Sequence, residues 1–171
     1  MKMKFNASHV VIDADIARSS GLSEHPVSSS SRELLQAILK SNINVVFCPI
    51  LATEWKKHQS KFATMWFSSM VARKRVLRIK PNTVTVIEIQ NSSISESQRQ
   101  IAEKDAHIVD LALATNKFIA SNDGRARQVF CLIAGQSTSL NGLFWVIPTE
   151  SHDSLVGLIT DGGYIPDEWR V

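Results

Sequence analysis

Four carboxylates carry the chemistry that this sequence suggests. Asp13 follows the short β-branched run His9–Ile12, and Asp123 follows a second apolar stretch, residues 117–121. Glu54 lies in the first turns of a helical segment beginning at Pro49 and shares a face with Ile50 and Leu51. Asp105 falls in line with Ile101, Ile108 and Ala112, on the apolar stripe of its helix. A carboxylate on a buried stripe is costly unless something pairs with it. Asp110, further along the same helix, lies about 140° around from Asp105 and is expected to be solvated. Acids that converge repel and raise one another's pKa, so such a cluster usually holds a metal. Oxygen-only ligation selects hard cations, Mg²⁺ or Mn²⁺. Taken singly, each acid also has a plain structural use. Asp123 suits a helix N-cap, and Asp105 in a first turn suits the helix dipole.

Other chemistries fit less well. No Cys/His group has zinc spacing: His25, His58, His107 and His152 are scattered, although His58 stands one turn after Glu54. His9, at the head of a strand, reads as structural. There is no G-x-S-x-G elbow and no P-loop lysine motif.

The elements that must position the acids alternate along the chain. Residues 21–30 read as a loop, followed by a helix capped at Ser30 or Ser31 and running through Leu39. Residues 44–48 form a strand stopped by Pro49, which opens a helix to about residue 60. A further helix covers residues 62–74, and residues 76–79 and 84–89 are expected to be extended. A helical region opens at residues 95–100, and residues 103–115 form the clearest helix. A strand at 117–121, a helix at 123–134 and a last strand at 143–147 follow, and Gly162-Gly163 is a turn. This order predicts an α/β fold, a three-layer αβα sandwich around a mostly parallel sheet of about five strands. Such sheets place their sites outside the C-terminal strand ends, where Asp13 and Asp123 fall, and their helices start near the same edge.

At 171 residues the expectation is a single domain over 1–171. No apolar run approaches the ~18 residues of a membrane span. Lys2 and Lys4 are not followed by an apolar leader core, so no secretory signal is expected. Cys48 and Cys131, both in apolar segments, read as reduced, buried thiols of a cytoplasmic protein. The net charge of +3 permits a nucleic-acid partner without requiring one. Residues 73–80 hold Arg73, Lys74, Arg75, Arg78 and Lys80 and no acid. They read either as a solvated helix end and strand entry or as phosphate contacts, with Arg73, Lys74 and Arg75 foremost.

The acid-bearing segments, taken together, resemble the PIN-domain ribonucleases. Val10-Val11-Ile12-Asp13-Ala14-Asp15 is similar to that family's opening strand and first acid, and Ile50-Leu51-Ala52-Thr53-Glu54 to the segment with its second. Residues 104–112, with Asp105, resemble the helix of the third, and Ser121-Asn122-Asp123 the site of the fourth. The resemblance covers residues 9–150. Asp15 departs from it, since many members carry Asn, Ser or Thr there. It would either add a carboxylate or cap the next helix.

The resemblance implies a PIN-like fold and hydrolysis of RNA with Mg²⁺ or Mn²⁺, leaving a 5′-phosphate and a 3′-hydroxyl. Asp13, Glu54, Asp105 and Asp123 would be the ligands, and Asp15, Ser121 and Asn122 their supporting partners. Arg125 and Arg127 would contact phosphate of a single-stranded RNA. Many small members are toxins silenced by a protein antitoxin, and this chain has the size of one. Trp66, Phe67 and Met70 form an apolar helical group suited to a homodimer surface or to the core. Two other readings compete: a haloacid-dehalogenase-type phosphatase, on the D-x-D of Asp13 and Asp15, and a catalytically silent RNA-binding module.

Overall fold

The computed structural model describes residues 1–171. β1 (His9–Ile12) leads into α1 (Ala14–Ser19) and α2 (Pro26–Lys40). β2 (Asn44–Phe47), α3 (Pro49–His58), α4 (Lys61–Ala72) and β3 (Val76–Arg78) follow. The chain then forms α5 (Thr85–Asn91), α6 (Glu96–Leu113), β4 (Phe118–Ala120), α7 (Gly124–Ala134), β5 (Phe144–Val146) and α8 (His152–Asp161). The five strands are all parallel, in the order β3-β2-β1-β4-β5. Helices α1 to α4 and α8 pack on one another, and α5, α6 and α7 form a second packed group that touches the first where α6 meets α3. Right-handed crossovers account for this split, because the chain moves outward from β1 to β3 and then returns past β1 to β4. The result is the expected three-layer α/β sandwich.

Apart from the exposed edge strand β3, the strands are nearly continuous apolar runs, as strands buried on both faces must be. Val11, Val45, Val46, Ile119 and Trp145 have no solvent exposure. Two buried indole N–H groups fasten helices to their neighbours, one to β1 and one to α2. Trp55 donates to the carbonyl of Ile12 at 3.0 Å and Trp66 to that of Leu35. The first of these ties α3 to the end of β1, one residue before Asp13.

Several local expectations are corrected. Cys48 is buried as expected, but Cys131, on the outer side of α7, is only half-buried. α2 begins at Pro26, not after the serine run, and His25 Nδ1 accepts from the Val27 amide as its cap. Proline at a first helical position needs no N–H, and Ser30 satisfies its hydroxyl on the Pro26 carbonyl inside the helix. Residues 84–89 are not extended but enter α5. α8, ended by Gly162 at φ 73°, was not expected. Trp66 and Met70 are buried in the core, so the helix they share with Phe67 does not present them as a dimer surface. Asp110 is 3% exposed rather than solvated. It accepts from the Val84 amide (3.1 Å), the Thr85 amide (2.8 Å) and the Thr85 hydroxyl (2.6 Å). The physical reason is that α6 is covered on a second side by α5, so the face away from the sheet is not a wet face.

Candidate active site

β1 and β4 are neighbours, yet the chain leaves β1 toward β2 and reaches β4 only after β3. That makes the gap between their C-terminal ends a topological switch point, where α/β sheets open a crevice. A cavity of about 570 Å³ lies there, and Asp13, Asp15, Glu54, Asp105 and Asp123 all line it. The four acids expected from sequence are therefore brought together, with Asp15 as a fifth.

Each acid is placed by a distinct local device. Asp13 ends β1 in extended backbone and heads α1, but its side chain makes no capping bond to that helix. Its Oδ2 instead accepts from the Ser121 hydroxyl at 2.7 Å. Ser121 is fully buried, and its Oγ also accepts from the Asp123 amide at 3.1 Å. One hydroxyl thus links the ends of β1 and β4. Asp123 caps α7, accepting from the Ala126 amide at 2.9 Å. Asp15, in the first turn of α1, accepts from the Asn122 amide at 2.9 Å through Oδ2. Asn122 uses its side-chain oxygen toward Thr149, at 3.3 Å from the hydroxyl. Ser121 and the Asn122 amide thus tie Asp13, Asp15 and Asp123 together.

Glu54 reaches the pocket from α3 and Asp105 from α6, two helices that meet over the crevice. Glu54 Oε2 lies 2.9 Å from His107 Nε2. Sequence reasoning left His107 among the scattered histidines. Residues two apart do not share a helix face, so its spacing from Asp105 gave no sign that both serve one site. His58 and Arg18 also line the cavity, and Arg18 could have been read from its i+3 spacing to Asp15.

The basic candidates divide. Arg125 lines the pocket and is exposed. Arg127 turns away and donates to the carbonyls of Trp145 (3.0 Å), Glu168 and Arg170 (3.3 Å), binding the C-terminal segment to β5. Arg73, Lys74 and Arg75 precede β3, so they stand at the N-terminal edge of the sheet, opposite the acids. Arg75 is engaged there by the carbonyls of Ile38 (2.7 Å), Leu39 (2.9 Å) and Ile43.

Electrostatics mark the acids as a mutually strained set. Burial raises the Asp13 pKa, with Glu54 adding to it and the Ser121 hydrogen bond opposing. Burial and then the Asp13 charge hold Asp15 well above the carboxylate range. Asp105 is raised to about 7 by burial, then by Asp13 and Asp123, with His107 opposing. For His107, burial disfavours the cation, but the hydrogen bond and charge of Glu54, with Asp105 and Asp13 behind them, outweigh it and raise the pKa.

The donor set fits a hard divalent cation. It is all oxygen, and Asp15 Oδ1 is buried with no hydrogen-bond partner. No three His, Cys, Asp or Glu side chains form a ready-made ligand set. An ion here would be held by one or two carboxylates and keep several waters, which is the habit of Mg²⁺. No helix of the chain is long and apolar enough to cross a membrane. No family model matches the chain, and no curated protein matches it.

Proposed function

We propose that this chain is a divalent-metal-dependent ribonuclease of the PIN type, acting on single-stranded RNA in the cytoplasm. The observation that carries the reading is the meeting of Asp13, Glu54, Asp105 and Asp123 in one cavity at the switch point of the sheet. One or two of Asp13, Glu54, Asp105 and Asp123 would ligate Mg²⁺ or Mn²⁺ directly and the others through its waters, with Asp15 supporting them. A bound ion there supplies charge neutralisation at the scissile phosphate and a more acidic water. Ser121 fixes Asp13 and Asp123 relative to each other, so the ligand oxygens need not reorganise during reaction. Glu54, oriented by His107, is placed to direct an attacking water. Arg18 and Arg125 at the cavity wall are placed to bind phosphate oxygens. In its size the chain also suits the toxin of a toxin–antitoxin pair, whose partner would be a protein covering this cavity.

The test is incubation of the pure protein with labelled single-stranded RNA, with Mn²⁺, with Mg²⁺ and with chelator. Cleavage only with metal, yielding 5′-phosphate ends, is the expected result. Asp13→Asn and Asp123→Asn should each lower it at least about a hundredfold while circular dichroism stays that of wild type, since Asn keeps the size of Asp and loses the charge. Wild-type rates in either folded variant would refute the assignment. One observation favours the phosphatase reading: Asp13 and Asp15 line the same cavity. No lysine lines it, which weighs against that reading. Release of phosphate from a simple monoester without RNA cleavage would reverse the order. RNA affinity without metal-dependent turnover would instead favour a silent binding module.

A further inference from the structure

On the far side of α3 from the acids lie two adjoining cavities of about 360 and 290 Å³. The larger is floored by Phe47, Cys48, Pro49, Ala52 and Ile79. The smaller continues it over Trp55 and Phe67. Phe47, Ala52 and Arg78 border both. The only charged groups around the pair are cations, Arg78 and Lys80 after β3 and Lys56 on α3. None of the three is in an ion pair. Arg78 lies over the Phe67 ring at 5.8 Å from its centre. This groove opens at the same C-terminal edge as the acid pocket, because Cys48 follows β2 and Ile79 follows β3. Two strand spacings, about 10 Å, separate the ends of β1 and β3.

We propose that this groove is a nucleotide subsite: it seats a base of single-stranded RNA on its apolar floor, with the flanking phosphates on Arg78, Lys80 and Lys56. The inference rests on the proposed RNA substrate and extends it, giving the strand a direction across the molecule. The occupant is identified by complementarity. A groove with an apolar floor, a rim of cations outside any ion pair and no carboxylate fits a ligand that is anionic and carries an apolar body. A nucleotide in a single strand is both, and its base is free to leave the strand and lie on a protein surface. In the acid pocket Arg18 and Arg125 stand among five carboxylates, so without metal it offers a phosphate chain little net attraction. The groove supplies the affinity that brings the strand to it.

The experiment reads binding and cleavage separately. Anisotropy of a short labelled single-stranded RNA in chelator is measured for wild type, for the double variant Arg78→Glu/Lys80→Glu, and for Ala52→Leu. The charge variant should bind about tenfold or more weakly, with the log–log salt slope reduced by roughly 0.7 for each phosphate that is no longer neutralised. Ala52→Leu fills the floor without changing charge and should weaken binding of the normal strand about fivefold or more, as unseating one stacked base does. It should leave an abasic strand unaffected. Equal binding by wild type and both variants would overturn the subsite even if wild type cleaves RNA with Mn²⁺. Loss of binding in the variants, with no cleavage by wild type in any metal, would keep the subsite and remove the ribonuclease reading. Self-association of the protein that both variants abolish, with RNA binding intact, would assign the groove to a second copy of the chain instead.

Discussion

Asp105 shows how one side chain can report on the site without any substrate. Its pKa is raised to about 7, by burial first and then by Asp13 and Asp123. A carboxyl group raised above its unfolded value stabilises the fold below the unfolded pKa, and that stability is lost as pH rises through the folded one. Metal-free protein should therefore lose stability between about pH 4 and pH 7. Asp105→Asn removes the titration, so its melting temperature should fall less over that window and exceed that of wild type at pH 8. The gain expected is about 1–3 kcal/mol, or roughly 2–4 °C per kcal/mol for a chain of this length. Saturating Mn²⁺ should close or reverse the gap, because wild type gains binding free energy that the variant lacks. A variant that melts lower than wild type by the same margin in chelator and in Mn²⁺ would return Asp105 to the role of a helix-dipole acid. His107 is the complementary probe. Its cation opposes a second cation beside Glu54, so His107→Gln should bind Mn²⁺ about three- to tenfold more tightly at pH 6. The advantage should shrink as pH rises and wild-type His107 loses its proton, which calorimetry at two pH values would measure.

Helix α5 explains why some elements were readable in the sequence and others were not. Ser60 before α4 and Ser95 before α6 carry their own caps, and the box of Ser95 with Gln98 is complete. α4 was legible from the helical spacing of Met65, Trp66 and Met70, and α6 as two stretches, 95–100 and 103–115, that form one helix. α5 has no cap of its own, and its β-branched residues Val84, Thr85, Val86 and Ile87 favour an extended reading. Its N-terminal amides are capped instead by Asp110 from α6. That information lies in an interaction between residues far apart in sequence, where no local pattern records it. The same interaction explains the burial of Asp110, misread as solvated from its angle around α6. Asp110→Ala should cost about 2–4 kcal/mol in urea unfolding, since it leaves the buried Thr85 amide and hydroxyl without an acceptor. It should leave metal affinity near that of wild type, because Asp110 does not line the acid cavity. A cost below about 0.5 kcal/mol, the range of ordinary surface substitutions, would show that α5 does not depend on this cap.

Across the whole molecule, alternation of strands and helices was enough to place Asp13 and Asp123 at one edge, because a parallel sheet gives all its strands one direction. Helix-borne Glu54 and Asp105 were legible for the same reason. The basic stretch was harder to place, since β3 divides it. Arg73, Lys74 and Arg75 enter the strand, whereas Arg78 and Lys80 leave it at the edge with the acids. Composition counts these cations together, and topology separates them. Arg75 is further removed from any partner by its bonds to the carbonyls ending α2, where burial and then the Arg73 charge lower its pKa. Two opposite outcomes follow for substitutions within a few residues of one another. Arg73→Ala/Lys74→Ala should leave the salt slope of RNA binding, and any cleavage, at wild-type values. Arg75→Ala should also leave the slope unchanged but lower stability by about 1–3 kcal/mol, because the freed carbonyls lose charge-assisted partners. Arg18→Ala/Arg125→Ala, in the acid cavity, should flatten the slope by roughly 0.7 for each phosphate left without its cation. Salt titrations of the three variants against one labelled strand, with urea unfolding of each, distinguish these cases. A slope flattened by Arg73→Ala/Lys74→Ala and untouched by Arg18→Ala/Arg125→Ala would place the RNA on the opposite edge of the sheet, away from the carboxylates, and the acid cavity would then need another substrate.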